Sequence, residues 1–224
     1  MPKVKLPRKS TSIDMTAMCD VAFLLLSFFI LTTKFKPSEA LAVVTPNSVS
    51  SKAAPENDVV LITIDKDGKV YLSVSDKNTS EKKAIIAAVG TAKGLNLSAA
   101  QVSAFARANS YVGVPFAQLP GLLNTAPDDI KKIKMDGIPV TDSTNNQLID
   151  WMLAAKQAFE GKKMEILVKG DNLSKYPSFQ GVINAFKKND LMKFSMVTNP
   201  ESAPAGTELD KIRHAGKAAA PVAQ

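Results

Sequence analysis

The residues able to do chemistry in this chain sit in an improbable place. Asp20 lies inside the apolar run Ile13–Thr33, which contains VAFLLLSFFIL immediately after it. A carboxylate at membrane depth costs from about 3 kcal/mol upward, so such acids are kept for a purpose and turn toward partners or water. An acid that is neutral in one state and ionised in another can pick up and release protons or ions. On a helix, residues three, four and seven apart share a face, so Thr16, Asp20 and Ser27 form one polar stripe. The hydroxyls of Thr16 and Ser27 are placed to support Asp20 or to line a route to it. Val21, Phe28 and Phe29 point elsewhere. The rival reading is a tolerated neutral acid, with Ser27 hydrogen-bonded to its own backbone.

The element that must carry the stripe is a helix of about 21 residues, which at about 1.5 Å per residue spans a hydrocarbon core of about 30 Å. A lone helix cannot shield one of its own sides, so the stripe implies further membrane helices around it. The run is long, carries Asp14 and Asp20 at its head, and lacks a small-x-small cleavage site, so it reads as an uncleaved anchor. Lys3, Lys5, Arg8 and Lys9 precede it. The positive-inside rule therefore puts residues 1–12 in the cytoplasm and everything after Lys34 on the far side of the membrane.

The remaining chain shows no catalytic constellation. The single histidine, His214, falls in an Ala- and Pro-rich tail, and no phosphate loop, nucleophile elbow or metal cluster occurs. Asp65-Lys-Asp-Gly68 lacks the further ligands of a calcium loop and reads as a hairpin turn. No metal or other cofactor is expected, and the chain does not read as an enzyme. The one cysteine, Cys19, lies in the membrane run, so no intrachain disulfide can form. A net charge of +7 suggests nucleic acid at first sight. The positive residues are dispersed, though, without an aromatic-interleaved stripe, and a nucleic-acid partner is not expected.

Along the chain, residues 34–57 read as a flexible Pro-, Ser- and Ala-rich linker, with Leu41–Val44 as a short strand. Asp58–Asp65 and Lys69–Val74 form a hairpin. Helices are expected at Ser80–Gly90, Ser98–Ala108, Pro115–Leu123 and Asp128–Lys134. Clearer signals give a helix at Asn145–Phe159, a strand at Met164–Lys169, a helix at Tyr176–Lys188 and a strand at Leu191–Thr198. The two strands flanking the last helix should be parallel neighbours. The expected fold is thus one N-terminal transmembrane helix at 13–33 and an α+β domain at 58–198. Its order is β-β-[helical insert]-α-β-α-β, a small mixed sheet with helices on one face. Residues 199–224 read as a disordered tail.

Thr16-Ala-Met-Cys-Asp20 followed by VAFLLLSFFIL resembles the entry to the single membrane helix of the ExbD/TolR family, where Ala17 replaces a usual Pro. The short basic start and the segments VYLSV and EGKKMEILVKGD…YPSFQGVINAFKKNDLMKFSMV are similar to the family's layout. Val44-Thr-Pro46 loosely matches its Leu-Pro motif, and residues from about 78 to 144 look like an insert. The resemblance implies a proton-motive-force-driven motor in the inner membrane, coupled to H+ flow, with Asp20 as the proton-binding carboxylate and Thr16 as its neighbour. Implied partners are a second copy in a homodimer, a ring of multi-span ExbB-like subunits, the lipid bilayer, and a TonB-like protein that opens outer-membrane transporters. Other readings remain: a TolR-like stator for envelope maintenance, a motility stator, or a structural anchor whose periplasmic domain binds the envelope.

Overall fold

The structure is a computed structural model and describes residues 15–32, 41, 43–49, 54–107, 111–130, 133–142, 144–202, 204–208 and 210–211. The basic cluster Lys3, Lys5, Arg8 and Lys9, much of the expected linker, His214 and most of the expected tail lie outside the described residues. The chain divides into two compact units, Met1–Ser38 and Glu39–Gln224. The first holds helix α1, Met15–Thr32, in which no residue is buried.

In the second unit, chain order runs through β1 (Asn47–Ser48), β2 (Val59–Ile64), β3 (Val70–Val74), α2 (Thr79–Ala92), α3 (Ala99–Phe105) and β4 (Tyr111–Val112). After a 3-10 turn at Phe116–Gln118 come α4 (Leu119–Asn124), α5 (Pro127–Ile130) and α6 (Leu148–Ala158). The last elements are β5 (Glu165–Gly170), α7 (Tyr176–Lys188), β6 (Phe194–Met196) and β7 (Asn199–Pro200). Five strands make one mixed sheet in the order β4-β3-β2-β5-β6. The β2–β3 and β3–β4 pairs are antiparallel, and β2–β5 and β5–β6 are parallel. A single membrane-type helix followed by a mixed α+β domain is the expected class, and β5 and β6 are the expected parallel neighbours.

Alternation along the strands explains where the helices lie. Val60, Ile62 and Ile64 of β2 pair with Val74, Leu72 and Val70 of β3. On the other side they register with Ile166, Val168 and Gly170 of β5. The apolar members of this set join one buried cluster with Ile85, Ile86, Trp151, Met152, Val182 and Phe186 from the helices. The opposite face carries Thr63, Ser73, Glu165 and Lys169, in keeping with the period of two along a strand. The β2–β3 turn closes through Asp65, whose Oδ1 accepts from the backbone N–H groups of Asp67 and Lys69 at 2.9 Å each. Gly68 takes φ +82° there, a conformation open to glycine.

The expected helical stretch between β3 and α6 is present as α2 to α5 and packs into the domain: its β4 extends the sheet at Leu72↔Val112 and Ser73↔Tyr111, and the rings of Phe105 and Phe116 each lie with centroids 5.9 Å from that of Trp151. Two expectations about strands are corrected. Leu41, Val43 and Val44 are not in a strand. The strand before the hairpin is Asn47–Ser48, and it pairs in parallel with Asn199–Pro200, at the start of the expected tail. Asn199 N–H donates to Pro46 O and its side chain to Thr45 O, both at 2.9 Å, and these bonds fix the pairing. The last strand of the main sheet is confined to Phe194–Met196 rather than running over Leu191–Thr198.

Candidate functional site

Helix α1 is built mainly of Leu, Met, Ala and Phe without Pro or Gly, and Asp20 is its single carboxylate. Among the described residues it is the one helix long and apolar enough to cross a membrane. At about 1.5 Å per residue its 18 residues measure about 27 Å. Its apolar residues have no protein cover: Phe23, Leu25, Phe28 and Phe29 are all more than half exposed. Lipid or other helices must supply the cover, because nothing else among the described residues of the unit does.

The helix brings Thr16 and Asp20 together as i and i+4 neighbours, with about 6 Å of rise between them. Ser27 falls on the same face, but seven positions on it sits two turns and about 10.5 Å along the axis from Asp20, beyond direct contact. Its hydroxyl donates to Leu24 O at 2.9 Å, so its proton is taken by the helix and its oxygen is left as an acceptor. Thr32 similarly donates to Phe28 O at 2.7 Å. The arrangement offers one titratable oxygen pair at membrane depth, a neighbouring hydroxyl at Thr16 and an acceptor farther along the stripe. Cys19 is adjacent in sequence and is exposed. No cluster of three or more His, Cys, Asp or Glu that could hold a metal occurs among the described residues.

Several ionisable groups of the second unit are committed to structure. Glu81, with a side chain 6% exposed, is paired with Lys162. The hydrogen bond from Lys162 is the main cause that lowers the Glu81 carboxyl to about 2, against a smaller opposing effect of burial. Lys82 is wholly buried. Its ammonium donates to Asp76 at 2.6 Å and to Arg107 O at 3.1 Å, a buried charge made tolerable by its partners. Burial, reinforced by Asp65, pushes the Tyr71 phenol upward, and its hydroxyl donates to that carboxylate at 3.3 Å. Sequence reasoning did not single out these pairs. Glu81 and Lys162 are 81 residues apart, and the Asp76–Lys82 and Asp65–Tyr71 pairs each cross a turn, so the periodicity of a single element links none of them. The two lysine pairs tie α2 to the loop before β5 and to the loop after β3.

Comparison with known proteins agrees with the membrane helix and the sheet. The model of a family described as "Biopolymer transport protein ExbD/TolR" matches residues 7–201, nearly the whole chain. No curated protein and no solved structure matches the chain. The match spans α1 with Asp20, the five-stranded sheet and the region from α2 to α5 alike. The family comprises stator proteins for energy-coupled biopolymer transport that work in membrane complexes with ExbB/TolQ-type partners and TonB/TolA-like proteins, and one apolar N-terminal helix fits a single-pass inner-membrane protein. The chain belongs to the ExbD/TolR family of biopolymer transport proteins.

Proposed function

We propose that this chain is the proton-binding subunit of an ExbB–ExbD-like motor that energises TonB-dependent transport across the outer membrane. The observation that carries the reading is Asp20, the lone carboxylate of an apolar helix that has no cover of its own. In the working assembly two copies stand within a ring of ExbB-like subunits, whose helices supply that cover. Asp20 takes up a proton in one state and releases it in the other, and Thr16 is the hydroxyl beside it. Coupling is to H+ flow, and no cofactor takes part. The basic residues before α1 hold the N-terminus in the cytoplasm. The sheet domain then stands in the periplasm and passes force to a TonB-like protein.

Asp20→Asn keeps the shape of the side chain and removes the titrating group. The variant is expected to co-purify with its ExbB-like partner and to lose TonB-dependent uptake down to the level of a deletion strain. Uptake at wild-type rates in an assembled Asp20→Asn complex overturns the proton step. Normal uptake in the deletion strain, with loss of envelope integrity instead, replaces the TonB role by a TolR-like one and leaves Asp20 in place.

A further inference from the structure

Two hollows follow one another along α6. The first, of about 360 Å³, is lined by Asn146, Ile149, Asn184, Lys187 and Lys188. The second, of about 540 Å³, lies one turn farther on, where Leu153, Met164 and Leu191 give an apolar floor. Asn189 stands between them: its side chain donates to Ile149 O at 3.0 Å, and its carbonyl accepts from Lys156 Nζ at 2.7 Å. The groove is therefore framed by α6, the end of α7 and the start of β5.

Charge is lopsided along it. The linings hold four lysines, Lys156, Lys162, Lys187 and Lys188, against one acid, Glu160. Lys156 and Lys162 are engaged, with Asn189 O and Glu81. Lys187 and Lys188 are exposed, and their ammonium groups make no ion pair or hydrogen bond among the described residues. Their place in the last turn of α7 suits the helix dipole, but that does not account for the apolar floor beside them, where Leu153 is 45% exposed. Asn146 supplies a second, independent sign. It is 7% exposed and donates to Gly181 O at 2.7 Å, yet its Oδ1 is buried with no donor among the described residues. A buried acceptor without a partner is costly, and an incoming N–H would remove that cost.

We infer that the α6–α7 groove docks an acidic, partly apolar polypeptide segment of a partner protein. Apolar side chains of the segment cover Leu153 and Met164, carboxylates meet Lys187 and Lys188, and a backbone N–H reaches Asn146 Oδ1. A peptide supplies all three chemistries together; an anionic lipid supplies no apolar side chain at the spacing of the floor and competes only for the lysines. This surface is separate from Asp20, so its failure leaves the proton step untouched, and failure of the proton step leaves the groove.

The probe is a fluorescein-labelled peptide of Glu and Leu, with Leu at every third and fourth position, titrated onto the full-length chain in mild detergent. Its Lys-for-Glu counterpart is the control. The acidic peptide is expected to bind, with binding falling as salt shortens the Debye length from about 30 Å to about 8 Å. Lys187→Glu with Lys188→Glu is expected to weaken it by about tenfold or more and to let the Lys peptide bind instead. That gain of binding separates loss of charge from loss of fold. Leu153→Asp is expected to weaken both, and Lys83→Glu on α2, outside the groove, neither. The inference is overturned if the acidic peptide fails to bind, if it binds the double charge reversal equally well, or if vesicles containing phosphatidylglycerol bind with the same dependence on Lys187, Lys188 and Leu153.

Discussion

Gly181 sits in the interior of α7, where glycine is about 1 kcal/mol worse than alanine. On propensity alone Gly181→Ala should stabilise the domain. The structure reverses that expectation. A Cβ at 181 would stand 2.2 Å from Val140 O, 2.8 Å from Val140 C and 3.0 Å from Val140 Cβ. The first contact is about 1 Å too close, and the atom met is backbone, which cannot rotate away. Overpacking of this kind costs about 1–3 kcal/mol. A shift of α7 large enough to relieve it also strains the 2.7 Å bond from Asn146 to Gly181 O, worth about 1 kcal/mol. The clash and the bond outweigh propensity, leaving a net loss of about 1–3 kcal/mol, or about 2–12 °C in Tm for a domain of this size. The single tryptophan, Trp151, is fully buried and reports the transition by fluorescence in the full-length chain in detergent. Gly121→Ala in α4 is the matched control: nothing lies within 4 Å of its Cβ, so it should gain up to about 1 kcal/mol. A Tm for Gly181→Ala equal to or above wild type would refute the close approach of α7 to Val140.

The Glu81 carboxyl is held at about 2 against an ordinary 4.5. A depressed value stabilises the fold above the ordinary value and loses that contribution as pH falls from 4.5 toward 2. Melting temperature followed over that window should therefore fall more steeply in wild type than in Glu81→Gln, while the variant is the less stable of the two at pH 7; parallel curves would show the Lys162 pair to be idle. Trp151→Ala, which empties the space between Phe105 and Phe116, should cost about 3–5 kcal/mol in urea unfolding. Trp151→Phe should cost clearly less, because the indole Nε1 that it removes has no partner among the described residues; equal costs would mean that N–H is satisfied.

What the sequence made legible follows from how local each signal is. Helix α7 begins and ends where its apolar spacing and Lys187–Lys188 put it. The β2–β3 hairpin is equally plain, since β-branched runs and an Asp-Lys-Asp-Gly turn act within a few residues of each other. Helix α6 starts at Leu148 rather than Asn145 because Asn146 and Gln147 are drawn into tertiary bonds: the Asn146 side chain donates to Gly181 O and the Gln147 backbone N–H to Pro139 O. The strand β4 is two residues long and exists only through its pairing with β3, so no alternation could announce it. The β1–β7 ladder joins segments at opposite ends of the domain and includes Pro200, which reads locally as a breaker. On the membrane helix, Asp20 stood out by the cost of its charge. The angular position of Ser27 was legible too, but a projection down the axis hides the two turns of rise that separate it from Asp20.

The central strand β2 gains one neighbour at once and the other late. Val59 pairs with Glu165, so β5 arrives about 100 residues downstream of the strand that it must find, a span that slows assembly through loop-closure entropy. Until then β2 presents an unpaired row of amides and carbonyls flanked by valine and isoleucine, a template for association with other chains. Newly made copies therefore carry an exposed strand edge, open to association with other chains, until this remote pairing forms.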